Sequence, residues 1–137
     1  EVLKLGRYHT GDLARRDDEG FIYIVDRKKD MVISGGFNVY PSEVEAVLYQ
    51  HAAVAEACVF AVPDDKWGES VAAHVVLKVG QTADANALDA FCAGRLAGFK
   101  RPRQIAFVPE LIKNANGKVA RKAIQAPYWA GHSRMVN

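Results

Sequence analysis

The chain has 137 residues, half of them hydrophobic and a quarter charged. That is the composition of one ordinary globular domain, and it excludes intrinsic disorder and membrane-spanning helices, because charges interrupt every apolar run short of the ~20 residues a span needs. Eighteen basic residues against 16 acidic leave a net charge of +2, too small by itself to argue for wrapping nucleic acid, so partners must be read from local clusters, and the reading adopted below expects no nucleic-acid partner.

In chain order, the opening EVLKLGRYHTGD starts on Glu1 and lacks the basic, apolar and small-residue succession of a signal peptide, so the chain reads as part of something longer. Residues 21–25 (FIYIV), β-branched and aromatic, predict a strand. MVI at 31–33 predicts a shorter one, with Ser34-Gly35-Gly36 as a flexible break after it. Ser42 with Glu45 three places on forms a capping box ahead of the helical spacing of Val44, Val47 and Leu48, which predicts a helix over 42–50. Residues 54–62 are almost continuously apolar and close on Pro63-Asp64-Asp65, as a central strand does. Residues 70–78 predict its neighbour, with Val71, Ala73, Val75 and Leu77 on one face. Asp84 is placed to cap a helix whose apolar stripe is Leu88, Phe91, Cys92 and Leu96 and whose end is Gly98. Residues 105–108 predict a further short strand, 114–117 a turn, and 118–125 a last basic helical segment. The order β-β-α-β-β-α-β-α predicts an α+β domain with helices packed on a small sheet of the three-stranded type. Cys58 and Cys92 have no CxxC or Cys/His spacing that cages a metal, and read as buried thiols in a reducing compartment.

Some residues suggest chemistry beyond the fold. In Thr10-Gly11-Asp12 a glycine turn precedes a carboxylate able to accept both hydroxyls of a vicinal diol such as ribose, although Gly-Asp also describes an ordinary turn. The charged run DRKKD at 26–30 leads into Ser34-Gly35-Gly36-Phe37-Asn38, which suits close approach of backbone to an anion and equally suits a solvated hairpin tip. FKRPR at 99–103 and Asn116-Gly117-Lys118 with Arg121-Lys122 supply an aromatic and cations for stacking a base and gripping phosphate, or else a solvated face or a nonspecific RNA-binding surface. Lys118, behind a glycine, presents an ammonium to an anionic centre, yet nothing fits the phosphate loop GxxxxGK[ST].

Taken in order, these segments resemble the carboxy-terminal part of the adenylate-forming enzymes, the AMP-dependent synthetase/ligase superfamily, and most of all an acyl-CoA synthetase. YHTGDL at 8–13 is similar to the family's TGD motif, and residues 26–45 (DRKKDMVISGGFNVYPSEVE) to its hinge and GGxNxxPxExE motif. PDDKWGE at 63–69 resembles the PDxxxGE turn, and NANGK at 114–118 the terminal lysine motif, with Asn116 where the family usually has Thr. Gly6-Arg7 departs from the Gly-Trp of many members.

The resemblance implies an AMP-forming ligase that joins a carboxylic acid to ATP as acyl-adenylate, with Mg2+, and then passes the acyl group to coenzyme A. It implies that residues 1–28 end a large amino-terminal domain and that 29–126 form a small domain turning about Lys29, preceded by a β-hairpin at the hinge; the tail 127–137 carries no assigned role and reads as a frayed end or else a docking strip. Asp12 and Arg27 would bind ATP or AMP, and Lys118 would be catalytic between the α-phosphate and the attacking carboxylate. Gly35 and Gly36 would leave a passage for the pantetheine arm, and Trp67, Phe99, Arg101 and Arg103 would meet the rest of coenzyme A. Metal, acid and most of ATP would be held by the large domain, the location would be cytoplasmic, and this piece alone would be inactive. A peptide-synthetase adenylation domain and a non-catalytic nucleotide- or coenzyme-A-binding module are the alternatives.

Overall fold

Two small antiparallel pairs open the fold: β1 (Leu3–Lys4) with β2 (Arg7–Tyr8), and β3 (Asp12–Arg16) with β4 (Ile22–Arg27). The structure is a computed structural model that describes residues 3–133, so the extremes of the expected amino-terminal segment and tail, at 1–2 and 134–137, lie outside the described residues. The strand expected over 21–25 runs on through Asp26 and Arg27, because these pair with Leu13 and Asp12 across the hairpin.

β5 (Val32–Ser34) and β6 (Phe37–Val39) are joined by Gly35-Gly36. The pair makes a tight hairpin turn instead of a flexible break: both φ are positive, +58° and +86°, as a two-residue turn between right-twisting strands requires. α1 (Pro41–Tyr49) follows, with Pro41 in its first turn and Tyr40 as an N-cap without a side-chain bond. The expected capping box is therefore absent. The Ser42 hydroxyl donates to the Val25 carbonyl and its N–H to Asp26 Oδ2, each at 3.0 Å, which ties the helix start to β4. Glu45 is turned instead toward Arg121.

β7 (Val54–Asp64) and β8 (Gly68–Leu77) pair antiparallel over nearly their whole length, as the apolar runs predict. α2 (Ala85–Ala93) is capped by Asp84, whose carboxylate accepts the Ala87 N–H at 2.7 Å. The helix ends at Gly94 and not at Gly98, which instead opens a short 3-10 turn, Gly98–Lys100. β9 (Gln104–Phe107) runs parallel to β8, and α3 (Arg121–Gln125) is shorter than the expected basic segment, leaving Lys118 in the turn before it. β5 and β6 widen the three-stranded sheet expected from the sequence to five strands, in the order β6-β5-β8-β7 with β9 also beside β8.

Alternation along β7 sends side chains to two faces. Val59 and Ala61 meet Val44 and Leu48 of α1 and Leu88 and Cys92 of α2 in one cluster, while Cys58, Phe60 and Val62 meet Leu111 and Ile124 in another. Helices thus cover both faces of the mixed sheet, an α+β domain. The segment expected to fray is packed: Ala126–Trp129 form a 3-10 turn, the Trp129 indole donates to the Ala61 carbonyl at 2.8 Å, and the Tyr128 hydroxyl lies 2.9 Å from His74 Nε2. Among the described residues no helix is long and apolar enough to cross a membrane.

Candidate functional site

The β3–β4 register sets Asp12 opposite Arg27, with Arg27 Nε 3.8 Å from Asp12 Oδ1. Thr10 Oγ1 accepts the Asp12 N–H at 3.1 Å, and the Gly11 carbonyl accepts the Lys28 N–H at 2.8 Å, so the strand start is held from both sides. Asp12 and Arg27 line an open groove of about 790 Å³ whose other lining includes Asn114, Asn116 and Lys118, with Asp30 and Arg121 also present. Three residues distant in the sequence, Asp12, Arg27 and Lys118, are thereby gathered in one concavity. Lys29 is exposed in the turn between Arg27 and Asp30.

Local backbone chemistry presents Lys118. Asn114 Oδ1 accepts the N–H groups of Asn116 at 2.9 Å and Lys118 at 3.1 Å, and the Asn114 N–H donates to the Lys118 carbonyl at 2.8 Å. Gly117, at φ +79°, allows the turn to close. The side chain that organises the turn is thus Asn114, whereas Asn116, which replaces the usual threonine, is exposed on the groove.

Sequence reading missed the charged cluster beside this turn. Arg121 donates from Nε to the Val59 carbonyl at 2.9 Å, from Nη2 to both Glu45 oxygens at 2.9 and 3.0 Å, and from Nη1 to Asp30 Oδ2 at 3.0 Å. Burial is the largest influence on Glu45 and lifts its carboxyl above the ordinary 4.5, against the pull of Arg121. Burial also works against the Arg121 charge, but the carboxylates of Glu45 and Asp30 outweigh it and hold the guanidinium protonated above its ordinary range. Cys58 lies in the same environment, and burial pushes its thiol up to about 11. The signal in the sequence was Glu45, an acid in a helix whose buried residues are Pro41, Val44 and Leu48, whereas Arg121 opens a short polar segment, RKAIQ, that carries no such mark.

The residues expected to meet coenzyme A fall elsewhere. Gly35 and Gly36 play different parts: a Cβ on Gly35 would stand 2.8 Å from Trp67 Cε3, whereas Gly36 has nothing within 4 Å. Gly36 and Trp67 line a largely apolar pocket of about 330 Å³ with Ile33, Glu69 and Trp129, the last another residue that sequence reading left without a role. Arg103 lies 5.6 Å from the Trp67 ring centroid and Phe99 stacks on Phe37 at 4.9 Å. Arg101 is engaged through Nε and Nη2 by the Asp89 carboxylate, which raises its affinity for the proton further and occupies much of its fork. Arg101 and Arg103 line a second pocket, about 480 Å³, against α2. No residue of the Lys118 groove lines either pocket.

Comparison with known proteins adds a family to this geometry. The model of the AMP-binding enzyme C-terminal domain matches residues 43–118. The chain is 46% identical over 142 residues to a medium/long-chain-fatty-acid–CoA ligase of Mycobacterium tuberculosis, covering 98% of this chain and 25% of that protein. It is 51% identical over 123 residues to a long-chain-fatty-acid–CoA ligase of Bacillus subtilis, covering 90% of this chain and 22% of that protein. Among solved structures, o-succinylbenzoate CoA synthetase of Bacillus subtilis in complex with its acyl-adenylate intermediate superposes with a TM-score of 0.84 at 39% identity, covering 99% of this chain and 26% of that one. ATP-bound MatB of Rhodopseudomonas palustris gives 0.83 at 40% identity, covering 88% and 24%. The chain thus spans about a quarter of the length of the curated relatives it matches. On the match over more than half of its residues and the agreement of its fold, the chain belongs to the AMP-binding enzyme C-terminal domain family.

Proposed function

We propose that this chain is the mobile carboxy-terminal domain of an acid:CoA ligase, which activates a carboxylic acid as acyl-adenylate and transfers the acyl group to coenzyme A. The observation that carries this reading is the gathering of Asp12, Arg27 and Lys118 on one groove that shares no lining residue with the Gly36–Trp67 and Arg101–Arg103 pockets. The likeness to CoA ligases, one of them solved with an acyl-adenylate, supports it.

In the first half-reaction the carboxylate oxygen of the acid attacks the α-phosphorus of ATP and pyrophosphate leaves. Asp12 accepts the ribose hydroxyls, Arg27 faces ribose or phosphate, and the Lys118 ammonium offsets the charge that builds on the α-phosphoryl oxygens and the attacking carboxylate. The Mg2+ that accompanies ATP is assigned in this reading to the large amino-terminal domain, and no step here runs through it. In the second half-reaction the coenzyme A thiolate attacks the acyl carbon and AMP leaves. Rotation about Lys29 exchanges the Lys118 groove for the glycine hairpin, with Gly36 beside the pantetheine arm and Trp67, Phe99, Arg101 and Arg103 toward the nucleotide end. For Arg101 this requires sharing its guanidinium between Asp89 and phosphate. Residues 29–126 form the moving unit and 1–28 the end of the larger domain, in a protein placed in the cytoplasm.

In the full-length enzyme, Lys118→Ala is expected to lower adenylate formation about 10²–10³-fold, the usual loss when a charge-stabilising donor is removed. Thioester formation from supplied acyl-adenylate should change far less. Equal loss of both steps would sink the two-face reading. Turnover with free coenzyme A separates this function from a peptide-synthetase adenylation domain, which needs a carrier-protein thiol.

A further inference from the structure

Arg121 follows Lys118 by three positions and reaches three separate elements at once: β7 through the Val59 carbonyl, α1 through Glu45, and the turn after β4 through Asp30. The three side chains are largely withdrawn from water, with Arg121 23%, Asp30 14% and Glu45 16% exposed. A buried ionic cluster is a poor device for stability alone, since well-packed apolar residues of similar volume often do as well or better. What it supplies is geometry, because a planar guanidinium fork holds several acceptors in fixed directions.

The element held in this way is the Lys118 turn. Lys113 and Val119 form a bridge, Asn114 brackets Lys118, and the Ala120 N–H donates to the Ile112 carbonyl at 2.8 Å, so residues 112–120 close on themselves and lead directly into Arg121. Asp30 also lines the groove, in the turn that follows Arg27, and its N–H donates to the Arg27 carbonyl at 3.1 Å. The Arg121–Asp30 pair therefore ties the segment that follows the Lys118 turn to the turn beside Arg27.

We propose that Arg121 is a positioning residue for Lys118. Through Asp30 it fixes the Lys118 turn against the turn beside Arg27, and through Glu45 and Val59 it anchors the Lys118 turn to α1 and the sheet. The proposal rests on the reading of Lys118 as the ammonium that assists adenylate formation.

The test uses the full-length enzyme carrying Asp30→Asn, which leaves Arg121 its bonds to Glu45 and Val59 and so protects the fold. Pyrophosphate release reports adenylation, and thioester formation from supplied acyl-adenylate reports the second step. The kcat for adenylation is expected to fall about 10–100-fold, as misplacement of a reacting group by an ångström does, with KM for ATP within about twofold and thioester formation within about threefold. Arg121→Lys should lose adenylation similarly, and adding Asp30→Glu, whose longer side chain meets the shorter reach of lysine, should restore part of it. A merely structural role predicts that both half-reactions decline together with the unfolding midpoint, and that result overturns the proposal, as does unchanged adenylation in Asp30→Asn. Lys118→Ala run alongside keeps the two ideas apart. If Lys118→Ala slows adenylation and Asp30→Asn does not, only the positioning role falls; if Lys118→Ala has no effect, the Lys118 reading falls and the positioning role with it.

Discussion

Gly35→Ala isolates what the glycine hairpin does for the fold. The backbone there has φ +58°, and a left-handed residue with a Cβ costs about 1–2 kcal/mol. The new methyl would also stand 2.8 Å from Trp67 Cε3 and 3.3 Å from Cζ3. The indole has little room to retreat: its backbone N–H donates to Asp64 Oδ1 at 2.9 Å, its carbonyl accepts the Gly35 N–H at 3.0 Å, and Lys66 and Arg103 flank the ring at 4.7 and 5.6 Å. Overpacking of this kind costs a further ~1–3 kcal/mol. The sum for Gly35→Ala is about 2–5 kcal/mol, against about 1–2 for Gly36→Ala, where positive φ is the whole penalty. Urea unfolding measures both, since a slope of about 1–3 kcal/mol per molar turns the difference into a midpoint shift of order 1 M. The same substitution in a Trp67→Ala background should lose the overpacking part and keep only the backbone part, a coupling of about 1–3 kcal/mol. An identical Gly35→Ala penalty with and without the indole would refute this account, and so would Gly36→Ala proving the more damaging change.

Gly36→Ala carries its own functional expectation: it narrows the 330 Å³ pocket and should raise KM for coenzyme A while leaving pyrophosphate release unchanged, and a normal KM would remove the pocket from the coenzyme path. Burial lowers the His74 imidazole below its ordinary 6.5, so as pH falls the unfolded chain takes up the proton first. Stability from this site is complete above about pH 6.5 and is lost as pH falls from there toward the folded value; His74→Gln should flatten that part of the pH–stability curve, and an unchanged slope would count against it. Tyr128→Phe removes the 2.9 Å contact to His74 and should cost about 0.5–1.5 kcal/mol of unfolding free energy, read by urea unfolding. Burial raises the thiols of both Cys58 and Cys92, and neither should react with a disulfide reagent at pH 8 until denaturant is added; rapid labelling of the native protein would contradict their packing.

Most of the scaffold was legible in the sequence because it is built from local and periodic signals. The apolar runs at 54–62 and 70–78 report a strand pair directly, Asp84 reports a helix start through its own carboxylate, and Cys58 and Cys92 report burial by their neighbours. Motif spacing carried the resemblance that placed the chain in its family, and with it the expectation for Lys118, Asp12 and Arg27. Reading failed where two local rules competed or where the deciding partner was remote. Ser42 and Glu45 have the spacing of a capping box, yet Ser42 turns to Val25 and Glu45 to Arg121. Gly98 looked like the end of α2, but Gly94 ends that helix four residues earlier.

By itself, then, the sequence determined the central strands, the main helices, the buried stripes and the family, but not β1, β2, β3 or β6, since helix and strand periods, turn chemistry and motif spacing are written within short windows of chain while short edge strands carry no such period. Only the tertiary structure decided that the Lys118 turn faces Asp12 and Arg27, that Trp129 docks on Ala61, and that Gly35 yields its space to Trp67. It alone assigned Arg121 to Glu45 and Asp30, 76 and 91 residues away. The physical reason is range: a hydrogen bond or ion pair needs its groups within about 3 Å, and no pattern along the chain specifies which distant charge burial will bring that close.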